Sequence, residues 1–219
     1  MERHFERSLQ ELIDLLRAMS SEVLLAMDIA AKGLLDRDPA QSNSVFEIEK
    51  HIDAMEVNLD EKILDFIALH QPVATDLRFV LSLQDAVVDL ERIGDHCTNI
   101  AQSSISLSML RQEPDLLMLP EMIPLARTMV KDSVESFLQR DPHLARRTMG
   151  LDDHMDELNR GIAREVIRAV KEDRELVETG LDIIRISKNF ERIGDLSANI
   201  AEDALFIVEG KLARHQPQG

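Results

Sequence analysis

The pentapeptide Glu-Arg-Ile-Gly-Asp occurs at 91–95 and again at 191–195, and each copy is followed by Asn-Ile-Ala, at 99–101 and 199–201. A chain that repeats itself at an offset of 100 residues is built to fold as two like units. Further upstream the offset grows to 103: Arg37-Asp38-Pro39 falls on Arg140-Asp141-Pro142, Glu49 on Asp152, His51 on His154 and Asp53 on Asp156. The difference is absorbed where His70-Gln71-Pro72-Val73-Ala74 is roomier than Lys171-Glu172-Asp173-Arg174. Loop length changes cost little there. The expected units are residues 1–112 and 113–219.

Each unit reads as three helices. Apolar residues recur at steps of three and four, as in Leu9, Leu12, Ile13 and Leu16 or Leu59, Ile63 and Ile67. Aromatics are 3 %, Trp and Tyr are missing, and eight Gly with seven Pro are too few for a hairpin-rich protein. The spans expected are 3–36, 40–69, 74–109, 120–139, 143–171 and 175–209, with Asp38 and Asp141 as N-caps ahead of Pro at the first helical position. The fold class is therefore all-α: two tandem, pseudo-repeated three-helix bundles.

A net charge of −16 repels phosphate backbones and anionic headgroups, so nucleic acid is excluded as a partner and membrane association is expected only through protein partners. The start Met-Glu-Arg-His-Phe-Glu has neither the basic end nor the apolar run of a signal peptide, and charges interrupt every hydrophobic segment. The single cysteine, Cys97, aligns with Ser197 and reads as a small packed residue. A cytoplasmic protein is expected. Its ten Met side chains suit core gaps or a docking surface.

The chemistry lies in acids spaced i, i+4 on the repeated helices: Glu49 with Asp53, Glu91 with Asp95, Asp152 with Asp156, and Glu191 with Asp195. One such pair means little among 41 acids in 219 residues. Their register means more, because antiparallel neighbours bring together residues equally distant from the turn. Asp53 with Glu91, and Glu49 with Asp95, both centre on Pro72; Asp156 with Glu191, and Asp152 with Asp195, centre between Asp173 and Arg174. Four carboxylates should thus share each hairpin face. At about 6 Å and an effective dielectric near 20, each like-charged pair costs roughly 3 kcal/mol before screening.

Two kinds of positive charge can answer this. Arg92, Arg192, Lys50, Arg185 and Lys188 lie within reach along the sequence. A hard cation is the alternative, since an all-oxygen ligand set suits magnesium, manganese or iron. The residues three before the histidines are Met1, Ile48, Ile67, Ile93, Arg140, Leu151 and Leu212, so no Glu-x-x-His ferritin-type motif exists. His96 could add a nitrogen ligand in the first copy, where the second has Leu196. Gly94 and Gly194 sit mid-helix, consistent with tight helix packing or with room for a ligand. Neither a Walker loop nor Gly-x-Gly-x-x-Gly is present, which argues against nucleotide hydrolysis.

These residues resemble the PhoU family of phosphate-uptake regulators. The resemblance rests on Ala74-Thr75-Asp76-Leu77-Arg78, on Leu90-Glu91-Arg92-Ile93-Gly94-Asp95-His96, and on Phe190-Glu191-Arg192-Ile193-Gly194-Asp195 with Asn199-Ile200-Ala201-Glu202. It implies metal ligands at Glu49, Asp53, Glu91 and Asp95, and at Asp152, Asp156, Glu191 and Asp195. It also implies an adaptor rather than an enzyme: a negative regulator linking the ATPase subunit of the phosphate-specific transporter to a sensor histidine kinase, commonly as a homodimer. Leu196, and the lack of a second Asp-Leu-Arg, depart from an exact duplication. A carboxylate-bridged metalloenzyme acting on phosphoesters and a purely structural scaffold are the competing expectations.

Overall fold

The computed structural model describes residues 2–110 and 114–210; the boundary expected between 112 and 113 lies outside the described residues. The first unit is α1 (Glu2–Leu35), α2 (Pro39–His70) and α3 (Ala74–Ser108), packed on one another as a bundle. The second is α4 (Leu119–Gln139), α5 (Pro142–Met149), α6 (Asp152–Glu172) and α7 (Val177–Glu209), with a 3-10 turn at Arg174–Leu176 ahead of α7. No described helix is long and apolar enough to cross a membrane.

The helix starts follow from their caps. Asp38 accepts from the backbone N–H groups of Ala40 (2.9 Å) and Gln41 (3.3 Å), and Asp141 accepts from those of His143 (2.9 Å) and Leu144 (3.2 Å). Each cap precedes a proline whose missing N–H would have been unsatisfied in any case. Arg37 and Arg140, just before the caps, both take the left-handed conformation at φ 54°. Arg37 then donates to the Leu110 carbonyl at 2.6 Å, serving the orphan carbonyls at the end of α3.

One expected helix is broken. The span 143–171 divides at Gly150 and Leu151, where the Gly150 N–H bonds to the Arg146 carbonyl and the Leu151 N–H tightens onto Thr148. Gly disfavours continuation by about 1 kcal/mol relative to Ala. The apolar period carries on across the break, which is why the pattern alone reads as a single helix. As a result Asp152 falls in the first turn of α6, whereas its counterpart Glu49 lies inside α2.

The two bundles meet along α3 and α7, with α1 also against α4. His96 on α3 meets Asn189 on α7, and the α3 residue Arg78 lies against Gly210 just beyond α7, so these helices run antiparallel. The seam is apolar at the Phe79–Phe137 ring pair (5.4 Å), with the Arg140 guanidinium 4.8 Å above the Phe79 ring. It is charged at the edge, where Arg127 makes a bidentate pair with Asp28 at 2.7 and 3.1 Å.

Candidate functional site

Hairpin register places the first acid nest on α2 and α3 as the midpoints require. Burial raises the pKa of Glu49, and the neighbouring charges of Asp53 and Asp95 raise it further. Glu91 is pushed up to about 7, again by burial first and then by Asp95, Glu56 and Asp53, with Arg92 opposing. Asp53 and Asp95 thus act on both Glu49 and Glu91. A fifth joins them: Glu56, whose carboxyl is raised by burial, Asp60 and Asp53. Glu56 continues the helical stripe of Glu49 and Asp53, and the next acid along it, Asp60, accepts from Gln84 at 2.5 Å.

In the second nest, Asp152 is pushed up to about 6 by burial and then by Asp195, Asp156, Asp153 and Glu191. The first turn of α6 should favour its charged form through the helix dipole. Burial and like charge outweigh that. Cations also reach this nest: Lys188 Nζ lies 2.5 Å from Glu191, an Arg192 guanidinium nitrogen 2.9 Å from Asp195, and an Arg160 nitrogen 3.4 Å from Asp156. Around the first nest Arg92 turns to Asp89 at 3.7 Å instead, and no salt bridge to Glu49, Asp53, Glu91 or Asp95 forms among the described residues.

Two oxygens of the second nest, Asp152 Oδ1 and Glu191 Oε2, are buried without a hydrogen-bond partner. Glu191 is only 8 % exposed. Buried carboxylate oxygens of this kind are costly unless a cation or a donor meets them. Among the described residues, no three His, Cys, Asp or Glu side chains close around a single point as a ready-made cation cage. The backbone brings these acids onto one face, but among the described residues their oxygens do not gather round a common point.

Both mid-helix glycines serve close packing. A Cβ at Gly94 would meet Ile52 Cδ1 at 3.2 Å, and one at Gly194 would meet Met155 Cγ at 3.2 Å and Asp152 Oδ1 at 3.6 Å. They let the acid-bearing helices lie against each other.

A PhoU domain model matches residues 16–104 and 119–204, one match on each bundle. The chain belongs to the PhoU family. It is 32 % identical over 214 residues, 97 % of this chain and 84 % of the relative, to a phosphate-specific transport system accessory protein PhoU homolog of Pseudomonas putida. A homolog of the same description from Aquifex aeolicus is 33 % identical, covering 96 % of this chain and 95 % of its own. The crystal structure of PhoU from Pseudomonas aeruginosa superposes with a TM-score of 0.91 at 31 % identity, over 94 % of this chain and 100 % of that one. That of the phosphate transport system regulatory protein PhoU from Streptococcus pneumoniae gives 0.88 at 25 % identity, over 96 % and 100 %.

Within this PhoU fold the other singled-out residues take structural places. Asn189 Nδ2 donates to the Arg185 carbonyl (2.8 Å), which turns its Oδ1 to accept from His96 Nδ1 at 2.8 Å; His96 thus bridges the bundles. His51 is exposed, and the His154 ring approaches Glu121 at 3.5 Å on the surface. Cys97 is buried and its thiol is pushed up to about 12, which rules out a thiolate nucleophile at neutral pH. A cavity of about 350 Å³ opens beside Leu117, Val166, Leu176 and Ile183, and none of the eight expected ligands lines it.

Proposed function

We propose that this chain is a metal-binding, cytoplasmic regulator of phosphate uptake, in which residues 1–112 and 113–219 form two units that each present an acid nest. The carrying observation is that relatives described as accessory proteins of the phosphate-specific transport system match 97 % of the chain, across both repeats. The regulator's role is to couple the transporter's ATPase subunit to a sensor histidine kinase and to hold phosphate-starvation genes off when phosphate is plentiful. Such a protein works by docking, as a homodimer, and not by turning over a substrate; the relatives' descriptions as accessory and regulatory proteins support that reading.

The donor chemistry of the residues suits a hard cation, which would have to draw the side chains together. Glu49, Asp53, Glu91 and Asp95 in one nest, and Asp152, Asp156, Glu191 and Asp195 in the other, offer only oxygen, as magnesium, manganese or iron prefer. The raised carboxyls and the buried, unbonded oxygens of Asp152 and Glu191 favour a bound positive charge. An ion would draw the acids together, fix the α2–α3 and α6–α7 faces, and so set the surface a partner meets.

Deleting the gene tests the regulatory half: phosphate-starvation genes are expected to switch on in phosphate-rich medium, and unchanged expression rejects it. Elemental analysis of protein dialysed without chelator tests the metal half. At least one divalent or trivalent ion per chain is expected, and a metal-free protein would leave the acids as a solvated scaffold face.

A further inference from the structure

We propose that the cavity of about 350 Å³ between the linker and the α6–α7 turn is the seat of a helical segment from a partner protein, basic and amphipathic, which enters it with one aromatic side chain. This rests on the reading of the chain as a docking protein and is independent of metal. The repeat supplies the template. On the offset of 103, buried Leu16, Met19, Val23 and Met27 of α1 fall on buried Leu119, Met122, Ala126 and Val130 of α4. Residues 2–15 of α1 have no such counterpart, because α4 begins only at Leu119. In the first bundle that extra length of α1 covers the hairpin end: the Phe5 ring packs on Phe66 at 5.2 Å and on His70 at 5.6 Å, and Glu11 pairs with Lys62 at 2.5 Å.

In the second bundle an irregular stretch, Leu110 with 114–118, runs over the corresponding place and leaves it hollow. The second hairpin is also trimmed there: Phe66 is replaced by Ala169, Ile63 by Val166 and Ile67 by Val170, and all three smaller residues line the cavity. Gly180 draws α7 onto Val166, where a Cβ would come within 2.6 Å, so the hollow lies outside the α6–α7 contact. Relative to the first bundle, one ring is missing from the hairpin and one from the covering helix. Exposed apolar side chains continue from the lining: Leu176 and its neighbour Val177 are 39 % and 41 % exposed, and Met109, next to Leu110, 77 %.

Charge sets the sign of the partner. On the surrounding hairpin Arg164, Arg168, Lys171 and Arg174 nearly balance Glu165, Glu172 and Glu178. The lining is not balanced, since it holds Asp115, Asp173 and Glu175 and, among the described residues, no Lys, Arg or His. Asp173 stands where the first bundle has His70 against the Phe5 ring. Asp115 and Asp173 each accept one backbone N–H at 2.9 Å, from Leu117 and Glu175, which leaves their other oxygens for a cation. A second copy of this chain, at −16, is repelled by such a site; a helix bearing lysine or arginine beside its apolar stripe is drawn to it.

The probe is an acetylated peptide of residues 2–16 of this chain carrying Glu6→Lys and Glu11→Lys, titrated calorimetrically onto the full chain; one site per chain is expected. Phe5→Ala in the peptide should weaken binding about tenfold. Ala169→Phe in the chain restores the first bundle's residue, fills the seat, and should weaken binding by a similar factor. Glu175→Lys should weaken it about threefold at low salt and less at high salt. Melting checks the fold: Ala169→Phe should raise the midpoint by about 3 °C, and a lower midpoint would mean that no ring fits, which overturns the inference. A peptide that fails to bind, or that binds Ala169→Phe and the wild type alike, overturns it as well. Binding only after Arg111→Ala would make the linker the occupant, and a dimer lost in Ala169→Phe would make it a second copy; either removes the partner helix. In cells Ala169→Phe should switch on phosphate-starvation genes as deletion does, and full repression by this folded variant would count against the seat. If deletion itself changes nothing, the regulatory reading fails, and the peptide titration judges the seat alone.

Discussion

Glu91→Gln in the metal-free protein offers the sharpest measure of the strain in the first nest, because it removes one charge while keeping the side chain's size. The Glu91 carboxyl ionises near its ordinary 4.5 in the unfolded chain and at about 7 in the folded one. Between those values the folded protein keeps a proton that the unfolded chain releases, so stability falls as pH rises through the window and is lowest above it. At about 1.36 kcal/mol per pH unit the full gap corresponds to ~3.4 kcal/mol. Glu91 is only partly buried, and solvent screening cuts this to about 1–2 kcal/mol. For a chain of this length that is about 4 °C in melting temperature. Differential scanning calorimetry of both proteins, stripped of metal, should therefore show Glu91→Gln melting higher at pH 8 and level with the wild type at pH 4. Saturating Mn²⁺ at a hundredfold excess over its dissociation constant should stabilise the wild type by about 2.7 kcal/mol and the variant by less. Equal gains at both pH values, or no gain at pH 8, would refute the view that repulsion and burial dominate this carboxyl.

Three further outcomes follow from packing. Gly94→Ala should lower the melting temperature despite Ala's better helix propensity, because its Cβ meets the fully buried Ile52 at 3.2 Å; adding Ile52→Val removes the offending Cδ1 and should recover most of the loss. Asp38→Ala should cost about 1 kcal/mol in urea denaturation through the lost cap on α2, with nearly unchanged slope. A double-mutant cycle on His96→Ala and Asn189→Ala should give a coupling of about 1 kcal/mol; additive effects would mean that their 2.8 Å bond does not help hold the bundles together.

The carboxylate register was legible because it needs only helix periodicity and the position of a turn, and Pro72 marks that turn directly. Asp38 and Asp141 were equally legible, since a cap is a local bargain between one side chain and two N–H groups. Glu56 escaped for the opposite reason. A search for residues shared by both repeats passes over it, because Asn159 stands opposite, although its place on the Glu49–Asp53 stripe was available to the same helical geometry. The break at Gly150 could not be read from period, since Met149 and Leu151 continue the apolar pattern across it. The partner of His96 was beyond reach: it sits 93 residues away on the other bundle, and only docking of α3 on α7 brings it near.

That docking also explains why the duplication was a workable route to this site. Because α3 and α7 run antiparallel, with His96 level with Asn189 and Arg78 near Gly210, the register sets Ile93 of one repeat level with Ile193 of the other. Both are fully buried and lie one turn or less from the acids at 91, 95, 191 and 195. The acid pairs of the two third helices consequently lie at one level of the α3–α7 seam. The pairing register thus brings the acid pair of one repeat level with that of the other. A charge added to either nest must then be felt along the α3–α7 seam, where His96 and Asn189 already join the first nest's helix to the second's.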